Sequence, residues 1–223
     1  MGFEANFAGT SFCTVDKLGK LQYGATEVNL VADRTVDMGL ATVGYDDEGV
    51  AAQEWHIVED GRFVGYQTTR EQAGWIGEDR SRGCSYTQGW DRVPFQRIPN
   101  IHLTPSKDST TLDDIVSDTK DGILVTGRNS WSIDHQRYNF QFTGGSFFEV
   151  KNGQITTRLR DLAYQSNSLD FWRGCDAIGG KDSWEMHGTF YDGKGEPQQI
   201  NAMSHGCPPA RFKNVNIINT GKG

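Results

Sequence analysis

Near its C-terminal end the chain reads Tyr191-Asp192-Gly193-Lys194-Gly195-Glu196-Pro197, then Ser204-His205-Gly206-Cys207-Pro208-Pro209. A carboxylate, an imidazole and a thiol therefore fall within the sixteen residues from Asp192 to Cys207. All three are side-chain types that ligate zinc. The Gly- and Pro-rich composition predicts a loop that presents side chains from fixed turns. Asp192, His205 and Cys207 are thus the candidate metal ligands. Their ordinary alternatives are an Asp-Gly turn, a loop histidine satisfied by backbone, and a structural free thiol. His205 and Cys207 are too close in sequence to be the usual Cys-His nucleophile pair. The chain contains no H-E-x-x-x-H, so it lacks a helical histidine pair and the glutamate base between them.

A second set of candidates could contact a substrate. Asp46, Asp47 and Glu48 form an acidic turn that either faces a cleft and supports a metal shell or simply sets hairpin geometry. The stretch from Arg80 to Arg97 mixes Arg donors with Tyr86, Trp90 and Phe95, and Arg with aromatics are the usual anchors of a binding surface. Within it Arg82, Cys84, Tyr86 and Arg97 are the candidate peptide contacts; the alternative is an ordinary surface loop. A strand edge beside them would take an extended peptide by β-addition. His56, His102, His135 and His187 stand alone on predicted strands or loops and read as structural.

These residues must be positioned by short β elements. Strands are predicted over Glu27–Ala32, Leu40–Tyr45, Glu54–Glu59, Arg62–Thr68, Asn100–Thr104, Gly122–Thr126, Tyr138–Thr143, Ser146–Val150, Trp184–Phe190, Gln199–Met203 and Phe212–Ile218. Asp60-Gly61 and Asn152-Gly153 are hairpin turns, because both pairs favour the φ > 0 conformations of two-residue loops. Short helices are predicted over Arg70–Ile76, from Ser109-Thr110-Thr111 to about Thr119, and over Ser168–Cys175. The capping hydroxyls and first-turn acids before Leu112 mark the middle one. Residues 78–99 read as one irregular loop, and a loop of that length is usually functional. The expected fold is mainly β within the α+β class: one antiparallel, barrel-like domain over 1–223 with two or three short helices.

Composition narrows the function classes. The 223 residues include 27 Gly, 12 Phe, 7 Tyr and 6 Trp, with 22 basic against 29 acidic side chains and a net charge of -7. Many turns plus many aromatics suit antiparallel sheet. The acidic balance argues against nucleic acid and against an anionic membrane surface. No apolar run approaches the roughly 20 residues of a membrane span. The start lacks the basic and apolar stretches of a signal peptide. A cytoplasmic location is expected. Cys13, Cys84, Cys175 and Cys207 form no C-x-x-C pair and are expected to be free thiols.

Several segments together resemble the C-terminal half of the TldD/PmbA family, whose members carry the name modulator of DNA gyrase. They are Glu4-Ala5-Asn6-Phe7-Ala8-Gly9-Thr10-Ser11-Phe12, Val43-Gly44-Tyr45-Asp46-Asp47-Glu48-Gly49-Val50, Arg62–Tyr66 with Gln67-Thr68-Thr69-Arg70, Val93-Pro94-Phe95-Gln96-Arg97-Ile98-Pro99-Asn100, Phe147-Phe148-Glu149-Val150-Lys151-Asn152-Gly153-Gln154-Ile155 and His205-Gly206-Cys207-Pro208-Pro209. The resemblance implies a zinc metallopeptidase acting on unstructured peptides, assembled as a homodimer or as a heterodimer with a related subunit. It places the family's H-E-x-x-x-H just upstream of Met1. It also places the third zinc ligand, a Cys before Gly-Lys, at Asp192. A carboxylate there is a harder, weaker zinc donor than a thiolate. Two functions follow: the C-terminal domain of a zinc peptidase, inactive alone, or a non-catalytic subunit that pairs with a catalytic chain.

Overall fold

The computed structural model describes residues 11–194 and 198–221, without the Lys194 side chain. The segment Glu4–Thr10 and the turn Gly195-Glu196-Pro197 lie outside the described residues. In chain order the strands are β1 Leu30–Asp33, β2 Glu54–Glu59, β3 Arg62–Phe63, β4 Ser85–Tyr86, β5 Phe95–Gln96, β6 Asn100–Leu103, β7 Asp121–Thr126, β8 Trp131–Ile133, β9 Asn139–Phe142, β10 Ser146–Lys151, β11 Gln154–Leu159, β12 Leu162–Asn167, β13 Cys175–Ile178, β14 Glu185–Lys194, β15 Gln199–Cys207, β16 Ala210–Phe212 and β17 Asn216–Asn219. The main sheet runs β14-β15-β6-β1-β2-β3. Smaller sheets run β11-β10-β7 and β17-β12-β9-β8, with two-stranded pairs β13-β16 and β4-β5. The fold is mainly β, as the sequence predicts. Among the described residues no sheet closes into a barrel, so the barrel-like expectation gives way to several open sheets. Pairing is antiparallel except between β15 and β6, where His205 and Gly206 run parallel to Ile101 and His102.

Alternation along β2 sorts the two faces of the main sheet. Trp55 and Ile57 are buried while Glu54 and His56 are exposed. The inner face joins Leu30, Ala32, Leu103 and Phe63 to Tyr23, Val28 and Cys84 in the core. Burying such side chains is the main source of stability, each contributing about 1.5–3 kcal/mol. The outer face carries Asp33, Glu54, Asn100 and His102, which occupy matching register positions on β1, β2 and β6. Around the four-stranded sheet, Phe140, Phe142 and Tyr164 pack with Phe171, which stacks on Phe212 at 3.8 Å. These rings dock the helix Ser168–Arg173.

Local signals are mostly obeyed. Asp60 and Gly61 have φ of 47° and 73°, as the two-residue hairpin requires. Asn152 and Gly153 likewise have positive φ. The helices Arg70–Trp75 and Leu112–Ser117 start with capping boxes, Thr69 with Gln72 and Thr111 with Asp114, each satisfying two orphan N–H groups.

Several elements differ from expectation: Phe212–Ile218 splits between β16 and β17, β8, β12 and β13 form where no strand is predicted, and the 78–99 loop contains the β4-β5 pair. Leu40–Tyr45 is not a strand; Thr42 turns back onto Val36, and the Ala41 N–H is taken by the Asn100 side chain. Arg62–Thr68 pairs only over Arg62–Phe63, because Val64 and Gly65 both donate to the Ile57 carbonyl and the chain then leaves the sheet. At Gly65 it passes so close to β2 that a Cβ would lie 2.3 Å from the His56 carbonyl oxygen. Finally, Ser204–Cys207 is part of strand β15 and not of a loop. There Gly206 is required, since a Cβ would lie 1.8 Å from Trp184 Cζ2.

Gly206→Ala is therefore expected to destabilise the protein by about 2–3 kcal/mol, the cost of overpacking a site that cannot give way. A urea-unfolding difference below about 0.5 kcal/mol would show that Trp184 moves aside freely.

Candidate functional site

The site is built where residues 85–99 meet the far end of the β14–β15 ribbon. Five hydrogen bonds staple that loop to β15. Gln88 N–H donates to Gln199 Oε1 (2.7 Å), and Ile200 N–H donates to Gln88 Oε1 (2.9 Å). Gln199 Nε2 donates to the Val93 carbonyl (2.8 Å), Tyr86 OH to the Ile200 carbonyl (2.7 Å) and Asn201 Nδ2 to the Ile98 carbonyl (3.1 Å). The long irregular loop is thus a fixed wall. It carries Trp90, 98% exposed, and Val93, 60% exposed. On the ribbon the register slips between Thr189 and Asp192. That bulge leaves Phe190 and Tyr191 66% and 78% exposed. Among the described residues, β14 is one of the two edge strands of the main sheet, β3 being the other.

At the base of this wall lies Arg97, fully buried. Its Nη2 donates to both the Asp192 carbonyl (2.7 Å) and Asp192 Oδ2 (2.6 Å). The Arg97 side chain is 1% exposed and that of Asp192 29%. Arg97 Nε and Nη1 have no hydrogen-bond partner among the described residues. A buried guanidinium is tolerable only with a counter-charge, and the Asp192 carboxylate supplies it.

The acidic turn is used by the backbone. Asp46 is buried; Oδ1 accepts Glu48 N–H and Val50 N–H, and Oδ2 accepts Ser85 N–H. Asp47 accepts Thr87 N–H and Glu48 accepts Arg70 N–H at the start of the helix Arg70–Trp75. The three carboxylates therefore fasten the turn to β4 and to that helix. Arg82 grips Glu78 through Nε and Nη2. Cys84 lies in the core and not on a rim; burial pushes its thiol up to about 12. Of the residues the sequence assigned to substrate contact, Tyr86 and Arg97 come to the wall, and Trp90 stands on it. Gln88, Gln199, Phe190 and Tyr191 belong to the same place. A run of glutamines and exposed aromatics carries no catalytic signature, so only the tertiary pairing reveals them.

The three metal candidates are spread along the ribbon. Asp192 pairs with Asn201, four residues before His205, which puts their rows about 13 Å apart at about 3.3 Å per residue. His205 Nδ1 lies 3.3 Å from the Ile101 carbonyl oxygen. Desolvation and then the Glu185 carboxylate push the Cys207 thiol up, against the thiolate that zinc needs. Among the described residues no three His, Cys, Asp or Glu side chains form a group that could hold a metal ion. With Asp192 Oδ2 held by a buried guanidinium, these three residues do not fit a zinc site among the described residues.

Residues 3–219 match the family model for the PmbA/TldA metallopeptidase C-terminal domain. The chain belongs to this TldD/PmbA metallopeptidase family. It is 28% identical over 204 residues to a metalloprotease of Methanothermobacter thermautotrophicus, covering 92% of this chain and 42% of that one. A zinc metalloprotease TldD homolog of Saccharolobus solfataricus is 25% identical over 175 residues, 78% of this chain and 38% of the relative. In solved structures, TldE from Thermococcus kodakarensis superposes with a TM-score of 0.71 at 19% identity, over 91% of this chain and 42% of that one. A Thermotoga maritima protein whose name links it to DNA gyrase modulation gives 0.72 at 19% identity, over 91% and 41%. The chain thus spans less than half the length of these relatives.

The buried pair predicts an asymmetry. Asp192→Ala strands a guanidinium out of water and is expected to cost about 3–5 kcal/mol, whereas Arg97→Met leaves a carboxylate that solvent reaches and is expected to cost less. Equal losses in urea unfolding would contradict this ordering.

Proposed function

We propose that this chain is the peptide-binding C-terminal domain of a TldD/PmbA-type metallopeptidase acting on unstructured peptides, and that it does not cleave them by itself. It supplies a chamber wall and an open strand edge; the zinc-bearing histidines and the base come from outside residues 1–223. The observation that carries this reading is the wall stapled to β15, which exposes Trp90 and Val93, together with the edge strand β14 of the same ribbon, which exposes Phe190 and Tyr191. Fixed, exposed aromatics next to unpaired backbone suit a chain recognised by its main chain and a few anchors. The partner is a second copy or a related subunit, and the location is cytoplasmic.

The Arg97–Asp192 pair favours a second reading. Asp192 stands where the family resemblance puts the third zinc ligand, yet its carboxylate neutralises Arg97. A position committed to an internal ion pair suits a subunit that pairs with a catalytic chain and holds no metal.

Binding of a fluorescently labelled unstructured peptide tests the shared core of both readings. Trp90→Ala and the double variant Phe190→Ala/Tyr191→Ala are each expected to weaken binding roughly tenfold or more. Wild-type affinity in both variants, or no binding by the wild type, would sink the proposal.

A further inference from the structure

The outer face of the main sheet holds a second groove, away from the Arg97–Asp192 wall. It is lined by Asp33, Glu54, His102, Pro105, Lys181 and Trp184, among others. Its floor is strands β1, β2 and β6. His102 is 8% exposed, and its Nδ1 accepts the Gly206 N–H at 2.9 Å. That acceptor role puts the ring proton on Nε2, and Nε2 has no partner among the described residues. A buried donor left unmade is costly unless something from solution accepts from it. Trp184 packs edge-on to the His102 ring at 5.4 Å and forms an apolar side wall. A Cβ at Gly206 would collide with that indole.

The charges along the groove are ordered. Asp33 pairs with Asn100 and with Glu54 in the sheet register, so both carboxylates sit at the Asn100 end of β6. Val31, in the next row, pairs with His102. Beyond β6, Ser106 bridges Gly180, which places Lys181 at the opposite end. Neither the Glu54 carboxylate nor the Lys181 ammonium forms an ion pair among the described residues. From the Asn100 row to the Ser106 row is about 20 Å at about 3.3 Å per residue.

We propose that this groove binds a short free peptide, of about six residues at the same extended rise, through both of its charged ends. The N-terminal ammonium lies against Asp33 and Glu54. The C-terminal carboxylate lies against Lys181, a backbone carbonyl accepts from His102 Nε2–H, and a side chain rests on Trp184. Recognition of both termini selects free short peptides over internal segments of a long chain. The site is therefore separate in place and in ligand from the wall that takes unstructured chains.

The test is titration of hexa-alanine, followed by the Trp184 indole N–H resonance. A saturable shift is expected. Acetylating and amidating the two ends is expected to weaken binding tenfold or more. Lys181→Met is expected to weaken the free peptide by at least fivefold while leaving the end-blocked peptide unchanged, and Glu54→Gln is expected to do the same from the other end. Both are exposed residues, so folding is preserved and is checked by the unshifted remainder of the spectrum. No saturable Trp184 shift, or equal affinity for free and end-blocked peptide, would overturn the proposal. The long-peptide binding that depends on Trp90 can survive either result.

Discussion

The fully buried side-chain amide of Asn100 holds the molecule's functional half in register. Its Oδ1 accepts the N–H groups of Ala41 and Ser204, and its Nδ2 donates to the Asp33 carbonyl and to Thr42 Oγ1. One residue thereby ties β1, the turn at 36–42 and β15 to β6. Buried backbone N–H groups that lose their partner cost about 1–3 kcal/mol each, so these connections are not optional. Because the Asn100 clamp fixes β15, it also fixes the strand that carries the ribbon, the stapled loop and the Gly206 contact with Trp184.

Two consequences follow on either side of that clamp. Toward the chain segment before Asn100, Arg97 is driven into the interior and must find a counter-charge, and Asp192 is the one that β14 delivers. Past Asn100, His102 is buried with Nδ1 used by Gly206. Desolvation is the main cause that lowers the His102 pKa, with Asp33 opposing it. The sign is that of a base depressed in the folded state. Its contribution is present above the unfolded value near 6.5 and is lost as the pH falls below it, because the unfolded chain binds the proton more readily. The same clamped strand thus presents a charge-paired, metal-unsuited position at one end and a neutral imidazole donor at the other.

Much of this was legible in the sequence, and the illegible part has a common cause. Asp60-Gly61, Asn152-Gly153, the capping box at Thr111 and the strand starting at Asn100 are set by neighbours in the chain, and they stand where their residues put them. The resemblance built on scattered segments also holds, since it used order along the chain and not any single motif. What failed depended on distant partners. Leu40–Tyr45 has strand-like residues, but the Asn100 amide takes its backbone. Arg62–Thr68 leaves its sheet after two residues. Asp46 and Cys84 look like site residues by type, yet one is consumed by three N–H groups and the other by the core. Asp192 is the sharpest case: its residue type permits a ligand, and only the tertiary fold shows its Oδ2 engaged by Arg97, ninety-five positions away.

In the function we propose, this domain receives peptide without holding zinc, its Asp192 carboxylate being committed to Arg97. The most direct measurement is the zinc content of the purified protein after equilibration with zinc and removal of free metal, compared with Asp192→Asn. Far less than one zinc per chain is expected in both proteins. One zinc per chain in the wild type that disappears in Asp192→Asn would contradict that expectation.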